Sequence, residues 1–209
     1  MNIALIGASG NAGKHILNEL LTRNLSTTAI VRHASKITED IPVIEKDLFD
    51  LTTDDLAPFD VVIDAFNAPR GKEEMHVTSL QHLINLLTDT QKRLIVVGGA
   101  SSLFTDKNKN IRFIDNVDPT SPFYPTAHEM FLALQDLKKT PIAWTYISPA
   151  AFFDPDGRRT GSYELFDDEM HDNHAGKSYV SMADYAIALV DEVVNAAHVR
   201  EHISVVSEK

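Results

Sequence analysis

Short apolar runs, mostly β-branched, recur along this chain and are separated by stretches whose apolar positions repeat with helical spacing. The runs are Ile3-Ala4-Leu5-Ile6, Thr28-Ala29-Ile30-Val31, Pro42-Val43-Ile44-Glu45 and Val61-Val62-Ile63-Asp64, then Leu94-Ile95-Val96-Val97, Ala143-Trp144-Thr145-Tyr146-Ile147 and Ile203-Ser204-Val205-Val206. Most lack a polar alternation, which is the pattern of strands covered on both faces in a parallel sheet. Between them, Ala12, Ile16, Leu17, Leu20 and Leu21 share one helical face. Val77, Leu80, Ile84 and Leu87 stripe a second helix, and Ala127, Met130, Phe131, Leu134 and Leu137 a third. Ser181-Met182-Ala183-Asp184 has the form of a capping box opening a last helix, with Ala186, Ile187, Val190, Val193 and Val194 as core positions. Strands alternating with helices in this way predict an α/β fold, an open doubly wound parallel sheet. Its ligand crevice is then expected at the carboxyl ends of the strands.

Two segments interrupt the rhythm. Phe104 to Pro125 is polar and turn-rich, and Phe152 to Tyr179 is longer, with Asp154-Pro155-Asp156-Gly157 and little periodicity. Loops of this length inside a compact domain are more often functional than accidental. Both follow strands, so both are expected to overhang the crevice, with 152–180 as its substrate side. No linker or repeat divides the chain, and residues 1–209 read as one domain.

Composition narrows the function classes. Nineteen Lys and Arg against 30 Asp and Glu give a net charge of −11, which argues against nucleic acid and against an anionic membrane surface as partners. The absence of cysteine excludes disulfides, thiol nucleophiles and thiolate metal sites. No leader-like or membrane-spanning run is present, so a cytoplasmic protein is expected. A homo-oligomer is compatible with these totals.

The chemistry is concentrated at one turn. Gly7-Ala8-Ser9-Gly10-Asn11-Ala12-Gly13 follows the first strand and opens the first helix. Gly7 permits the tight turn, Gly10 lets backbone approach phosphate, and Gly13 lets the helix pack closely, while the helix N-terminus offers free N–H groups to an anion. The spacing predicts a dinucleotide pyrophosphate site. Sites preferring NAD place a carboxylate roughly 20 residues further on. Here Ile30-Val31-Arg32-His33-Ala34-Ser35-Lys36 has Arg32 in its place, and a guanidinium pairs with a phosphate dianion through its planar fork. NADP(H) is therefore expected over NAD(H). The bland alternative has Arg32 stacking on adenine or facing water. Asp47, with Leu48 beside the ring, is placed either to hold the adenine amino group or simply to cap a turn. The fourth strand ends in Asp64-Ala65-Phe66-Asn67-Ala68-Pro69, suited to a ribose edge. The fifth ends at Gly98-Gly99, where the nicotinamide end could approach the backbone.

Together these positions resemble the atypical short-chain dehydrogenase/reductases, in particular the NmrA-like and NADH-flavin-reductase-like group, with biliverdin reductase B more distant. The resemblance covers essentially the whole chain. Besides the glycine turn and Ile30-Val31-Arg32 it rests on Val97-Gly98-Gly99-Ala100-Ser101-Ser102-Leu103 and Tyr124-Pro125-Thr126-Ala127. It continues in Ser148-Pro149-Ala150-Ala151-Phe152-Phe153, Arg159-Thr160-Gly161-Ser162-Tyr163 and Ser181-Met182-Ala183-Asp184-Tyr185-Ala186. It implies a Rossmann-like domain. Gly7, Ser9, Gly10, Asn11 and Ala12 would contact pyrophosphate and Arg32 the 2′-phosphate, with Asn67, Ala68 and Pro149 along the nicotinamide half. The implied activity is hydride transfer from NAD(P)H to a small planar acceptor such as a flavin or quinone. The alternative is a non-catalytic NADP(H) sensor.

One departure stands out. The wider dehydrogenase family uses Tyr-x-x-x-Lys, in which lysine lowers the tyrosine pKa, whereas Tyr124 is followed four residues later by His128. Pro125 fits the first helical position, which would put Tyr124 at the cap and off the face of His128. Tyr124 is the candidate catalytic proton donor; the other reading is a tyrosine packing at a helix start. Arg158 and Arg159 read equally as an anion site or a solvated turn. His171 and His174, near Glu169, match no established ligand set, so no metal site is expected.

Overall fold

The protein is described here by a computed structural model covering residues 1–209. All seven runs form strands: β1 (Asn2–Ile6), β2 (Ser26–Val31), β3 (Val43–Glu45), β4 (Val61–Asp64), β5 (Arg93–Val97), β6 (Ala143–Pro149) and, last in the chain, β10 (Glu201–Val206). Three short strands are additional: β7 (Phe152–Asp154), β8 (Glu164–Phe166) and β9 (Tyr179–Ser181). The main sheet runs β3-β2-β1-β4-β5-β6-β10-β8, parallel throughout except for β8, which closes the edge antiparallel to β10. The strand order reverses between β1 and β4, and the crevice of such a sheet opens at that reversal.

Alternate residues of each strand feed two cores. Ile3 and Leu5 face one layer, where α1 (Asn11–Thr22) packs against α5 (Met182–Asn195) through Ile16, Leu20, Tyr185 and Leu189. Ala4 and Ile6 face the other, with Leu80 and Ile84 of α3 (Met75–Leu87) and Leu134 and Leu137 of α4 (Tyr124–Leu137). A four-residue helix, α2 (Thr53–Leu56), contributes Leu56 to this second layer. Every one of these side chains is buried, and each leucine and isoleucine contributes about 1.5–3 kcal/mol on that account. Burial on both faces is why the strands read as continuous apolar runs.

Most of the two long segments packs against other parts of the fold and not over the cleft. Phe104 N–H donates to the Asp168 carbonyl at 2.9 Å, Met170 N–H donates to the Phe104 carbonyl at 2.8 Å, and Lys109 Nζ bonds Asp168 at 2.8 Å. The two loops are thus fastened to each other. Further along, Arg159 bonds Glu19 on α1 at 2.9 Å, and Tyr163 donates to Asp191 on α5 at 2.5 Å. Arg159 is thus half-exposed but paired with a buried carboxylate, while Arg158 is exposed, as in a solvated turn. Ser181 caps α5 by accepting from Asp184 N–H at 3.0 Å, but the capping box is only half made. The buried Asp184 carboxylate instead accepts from the Thr160 and Gly161 N–H groups and the Thr160 hydroxyl, holding the turn at 160–161.

Candidate functional site

The glycine turn is shaped by contacts that a side chain would destroy. Gly7 has φ +75°, and a Cβ on it would lie 2.5 Å from the Ala65 carbonyl oxygen. A Cβ on Gly13 would lie 2.1 Å from the Gly7 carbonyl oxygen. Gly13 therefore brings α1 onto the turn itself and stays behind the cleft wall. Gly10 is the N-cap of α1 and supplies no side-chain bond. The first internal bond at this end is Lys14 N–H to the Gly10 carbonyl, so the N–H groups of Asn11, Ala12 and Gly13 have no partner in the protein. With the helix dipole behind them they form an anion seat.

A cleft of about 650 Å³ opens from this seat across the strand ends. Gly7, Ser9, Gly10, Asn11 and Ala12 line it at the reversal, and Arg32, Asp47 and Leu48 line it on the side of β2 and β3. Asn67, Gly98 and Pro149 line it at the ends of β4, β5 and β6. Eleven of the thirteen expected binding residues thus surround one space; Gly13 and Ala68 are outside the lining. Arg32 is exposed and engaged in no ion pair or hydrogen bond. Asp47 accepts from Phe49 N–H at 3.0 Å and so caps a turn while also facing the cleft.

Sequence reasoning missed several lining residues. Lys46 follows β3, its N–H bonded to the Val31 carbonyl, and its Nζ bonds Asp55 at 2.6 Å. That bond, with those from Thr52, pulls the Asp55 carboxyl down to about 2. Adjacency to Asp47 was the available signal. Met130, read as a core position of α4, and Phe66 and Met182 also reach the cleft; Phe153 reaches it from the segment expected on the substrate side. Of 152–180 only Phe153 does, and none of 104–125 does.

Charge is distributed unevenly in this space. The titratable residues of the lining are Arg32, Lys46 and Asp47, all beside β2 and β3. The opposite end is walled by Val97, Gly98, Gly99, Met130, Pro149, Ala150 and Phe153, with no acid, base or histidine. Tyr124 is absent from the lining as well. The helix begins at Tyr124, with Pro125 second, so that Tyr124 and His128 do share a face: their rings stack at 5.5 Å and 22°. This corrects the expected cap position. A proline is accommodated at either first-turn position, because neither needs its N–H. Ser101 and Ser102 at the end of β5 are also turned away. Ser101 donates to the Ala127 carbonyl, and Ser102 joins a buried cluster with Ser148 and His202. Burial drives the His202 pKa down to about 3, leaving the ring neutral.

No group of three or more His, Asp or Glu side chains is placed to hold a metal ion. His171 stacks on Phe166 at 3.7 Å, and His174 faces Glu164. No helix is long and apolar enough to cross a membrane.

The sequence profile of the NAD(P)H-binding family matches residues 7–195. The chain belongs to this family. It is 49% identical to the YwnB protein of Bacillus subtilis (strain 168), over all of this chain and 99% of that one. A solved structure from Streptococcus pneumoniae TIGR4, titled "a putative NADH-flavin reductase", is 41% identical with a TM-score of 0.94 and full coverage of both chains. ChuY, an anaerobilin reductase of Escherichia coli O157:H7, shares 17% identity, with a TM-score of 0.74 over 99% of this chain and 97% of that one. At that identity ChuY shows the fold alone. The fold is the Rossmann-like one of NAD(P)H-binding oxidoreductases.

Proposed function

We propose that this protein is a reductase that transfers a hydride from NADPH, in preference to NADH, to a small planar acceptor such as a flavin or a quinone. The pyrophosphate would rest on the free N–H groups of Asn11 and Ala12. Arg32 would meet the 2′-phosphate, Asp47 and Leu48 would border the adenine, and Asn67, Gly98 and Pro149 would border the nicotinamide half. The residues present fit a dinucleotide: the turn has no room for a Cβ at Gly7, and Arg32 has no competing partner. The nicotinamide, when bound, supplies the hydride. Phe153, with Ala151 and Met182 around it, is the contribution of the 152–180 region to the acceptor side.

The observation that carries this reading is the apolar, uncharged end of the cleft. A carbonyl acceptor needs a proton delivered to its alkoxide by a group in hydrogen-bond reach. A conjugated ring spreads the charge and takes its proton from water, so the protein need only stack and orient it. The same missing donor favours a second reading, an NADP(H) sensor that works by contact with another protein. Turnover separates the two. NADPH mixed with FMN, FAD and simple quinones, followed by loss of nicotinamide absorbance, is expected to show protein-dependent oxidation. Tight NADPH binding without turnover on any of them would refute the reductase and favour the sensor.

A further inference from the structure

A second, much smaller cavity lies directly behind the uncharged end of the cleft. Its volume is about 20 Å³, enough for one water molecule. Phe66, Val97 and Met130 line both spaces, so one layer of side chains separates them. Asp64, at the end of β4, and His76, in the first turn of α3, face this cavity, with Ser79 and the fully buried Tyr146. Asp64 and His76 are each 6% exposed. One Asp64 oxygen accepts from Phe66 N–H at 3.0 Å, and the other has no partner in the protein. His76 Nε2 is buried without any hydrogen-bond partner. A cavity of one-water size with an unpaired carboxylate oxygen and an unpaired imidazole nitrogen is a polar site built into an otherwise apolar layer.

We infer that Asp64, in the small cavity it shares with His76, is a proton-binding site whose protonation is coupled to the redox state of the nucleotide in the cleft. The coupling is electrostatic and needs no opening of the wall. The oxidised nicotinamide is a cation and the reduced one is neutral. A carboxylate one side-chain layer behind the ring favours the cation; a protonated carboxyl does not. Reciprocally, the oxidised nucleotide draws a proton off Asp64, and the reduced one lets it return. This rests on the proposed placing of the nicotinamide at the ends of β5 and β6.

Among the groups around the cavity, Asp64 is the one whose ordinary value is pushed up toward neutral pH. Burial pushes its carboxyl up to about 6, against the one bond from Phe66. His76, from α3, is held below the ordinary imidazole range by burial, with Glu73 opposing weakly, and Tyr146, from β6, is raised by burial and stays neutral. β5 and α4 bring only Val96, Val97, Met130 and Ala133 to the cavity.

The test is the ratio of the Kd values for NADPH and NADP⁺, measured by calorimetry across the pH range below and above the Asp64 transition. Titration of the 2′-phosphate is common to both ligands and cancels in the ratio. NADP⁺ is expected to gain on NADPH as pH rises, on the order of tenfold for a unit charge at this remove, and Asp64→Asn is expected to flatten the ratio. A flat ratio in the wild type, or an undiminished slope in Asp64→Asn, would overturn the coupling. Carbon-13 NMR of the Asp64 carboxyl in the unaltered protein gives an independent reading. Its midpoint is expected above the ordinary carboxylate range and lower with NADP⁺ than with NADPH; equal midpoints would refute the proposal. Both readouts are of binding, so failure to turn over any acceptor would strike the reductase reading and leave this one standing.

Discussion

Arg32→Ala and Arg32→Glu probe the adenosine end of the cleft. Arg32 is exposed and has no ion-pair partner, so its removal strands no buried charge and leaves the fold unchanged. The proposed function has one charge-assisted contact to the 2′-phosphate to lose here, worth about 1.5–3 kcal/mol. NADPH should therefore bind roughly ten- to a hundredfold more weakly to Arg32→Ala, while NADH, which lacks the group, changes by no more than about twofold. Arg32→Glu adds repulsion of about 1 kcal/mol at contact distance in water, for a combined loss of roughly a hundred- to a thousandfold. Lys46 cannot replace it fully, because Asp55 holds its ammonium at 2.6 Å. Fluorescence titration of both nucleotides into the three proteins reads these numbers. Equal losses for NADPH and NADH would show that Arg32 does not discriminate at the 2′-position.

Other sites give independent checks. Gly13→Ala places a Cβ 2.1 Å from the Gly7 carbonyl, where backbone must move, so both nucleotides should bind at least about tenfold more weakly by the same titration. Tyr124→Phe should keep turnover within about twofold, because Tyr124 is outside the cleft lining; a hundredfold fall in kcat would restore it as a proton donor. Asp64 prefers its proton in the folded state. Its contribution to stability is thus complete below its unfolded value of 3.8 and is lost as pH rises through about 6, an upper bound of about 3 kcal/mol. Urea midpoints of Asp64→Asn should lack this fall between acid and neutral pH. His202 has the opposite sign: its depressed value favours folding above its unfolded 6.5, and this is lost as pH falls toward about 3. His202→Gln should blunt acid unfolding followed by circular dichroism.

How far these features could be read in the sequence depended on how local their causes are. Strands such as Val61–Asp64 and Leu94–Val97 were legible because burial on both faces leaves an uninterrupted apolar run. The glycine turn was legible because Gly7 and Gly13 answer to contacts within seven residues and at the neighbouring strand end. β7 and β9 were not, since each is three residues long and exists through pairing with the other across the chain. The 152–180 segment carries polar residues toward buried carboxylates on α1 and α5, and nothing local distinguishes that from an overhanging loop. Lys46, Met130 and Met182 reach the cleft through strand order and helix packing. Asp64 and His76 line one cavity because α3 folds back onto the sheet, a juxtaposition that neither residue announces alone.

The central claim is that the cleft holds NADPH and passes its hydride to a planar ring. An anaerobic rapid-mixing experiment with protein, NADPH and FMN tests it most directly, by following bleaching of the flavin. Bleaching is expected to require the protein, to saturate in both NADPH and FMN, and to slow sharply when Arg32→Glu replaces the wild type at limiting NADPH. Flavin that bleaches no faster with the NADPH-saturated protein than without it would rule out hydride transfer from the cleft to FMN.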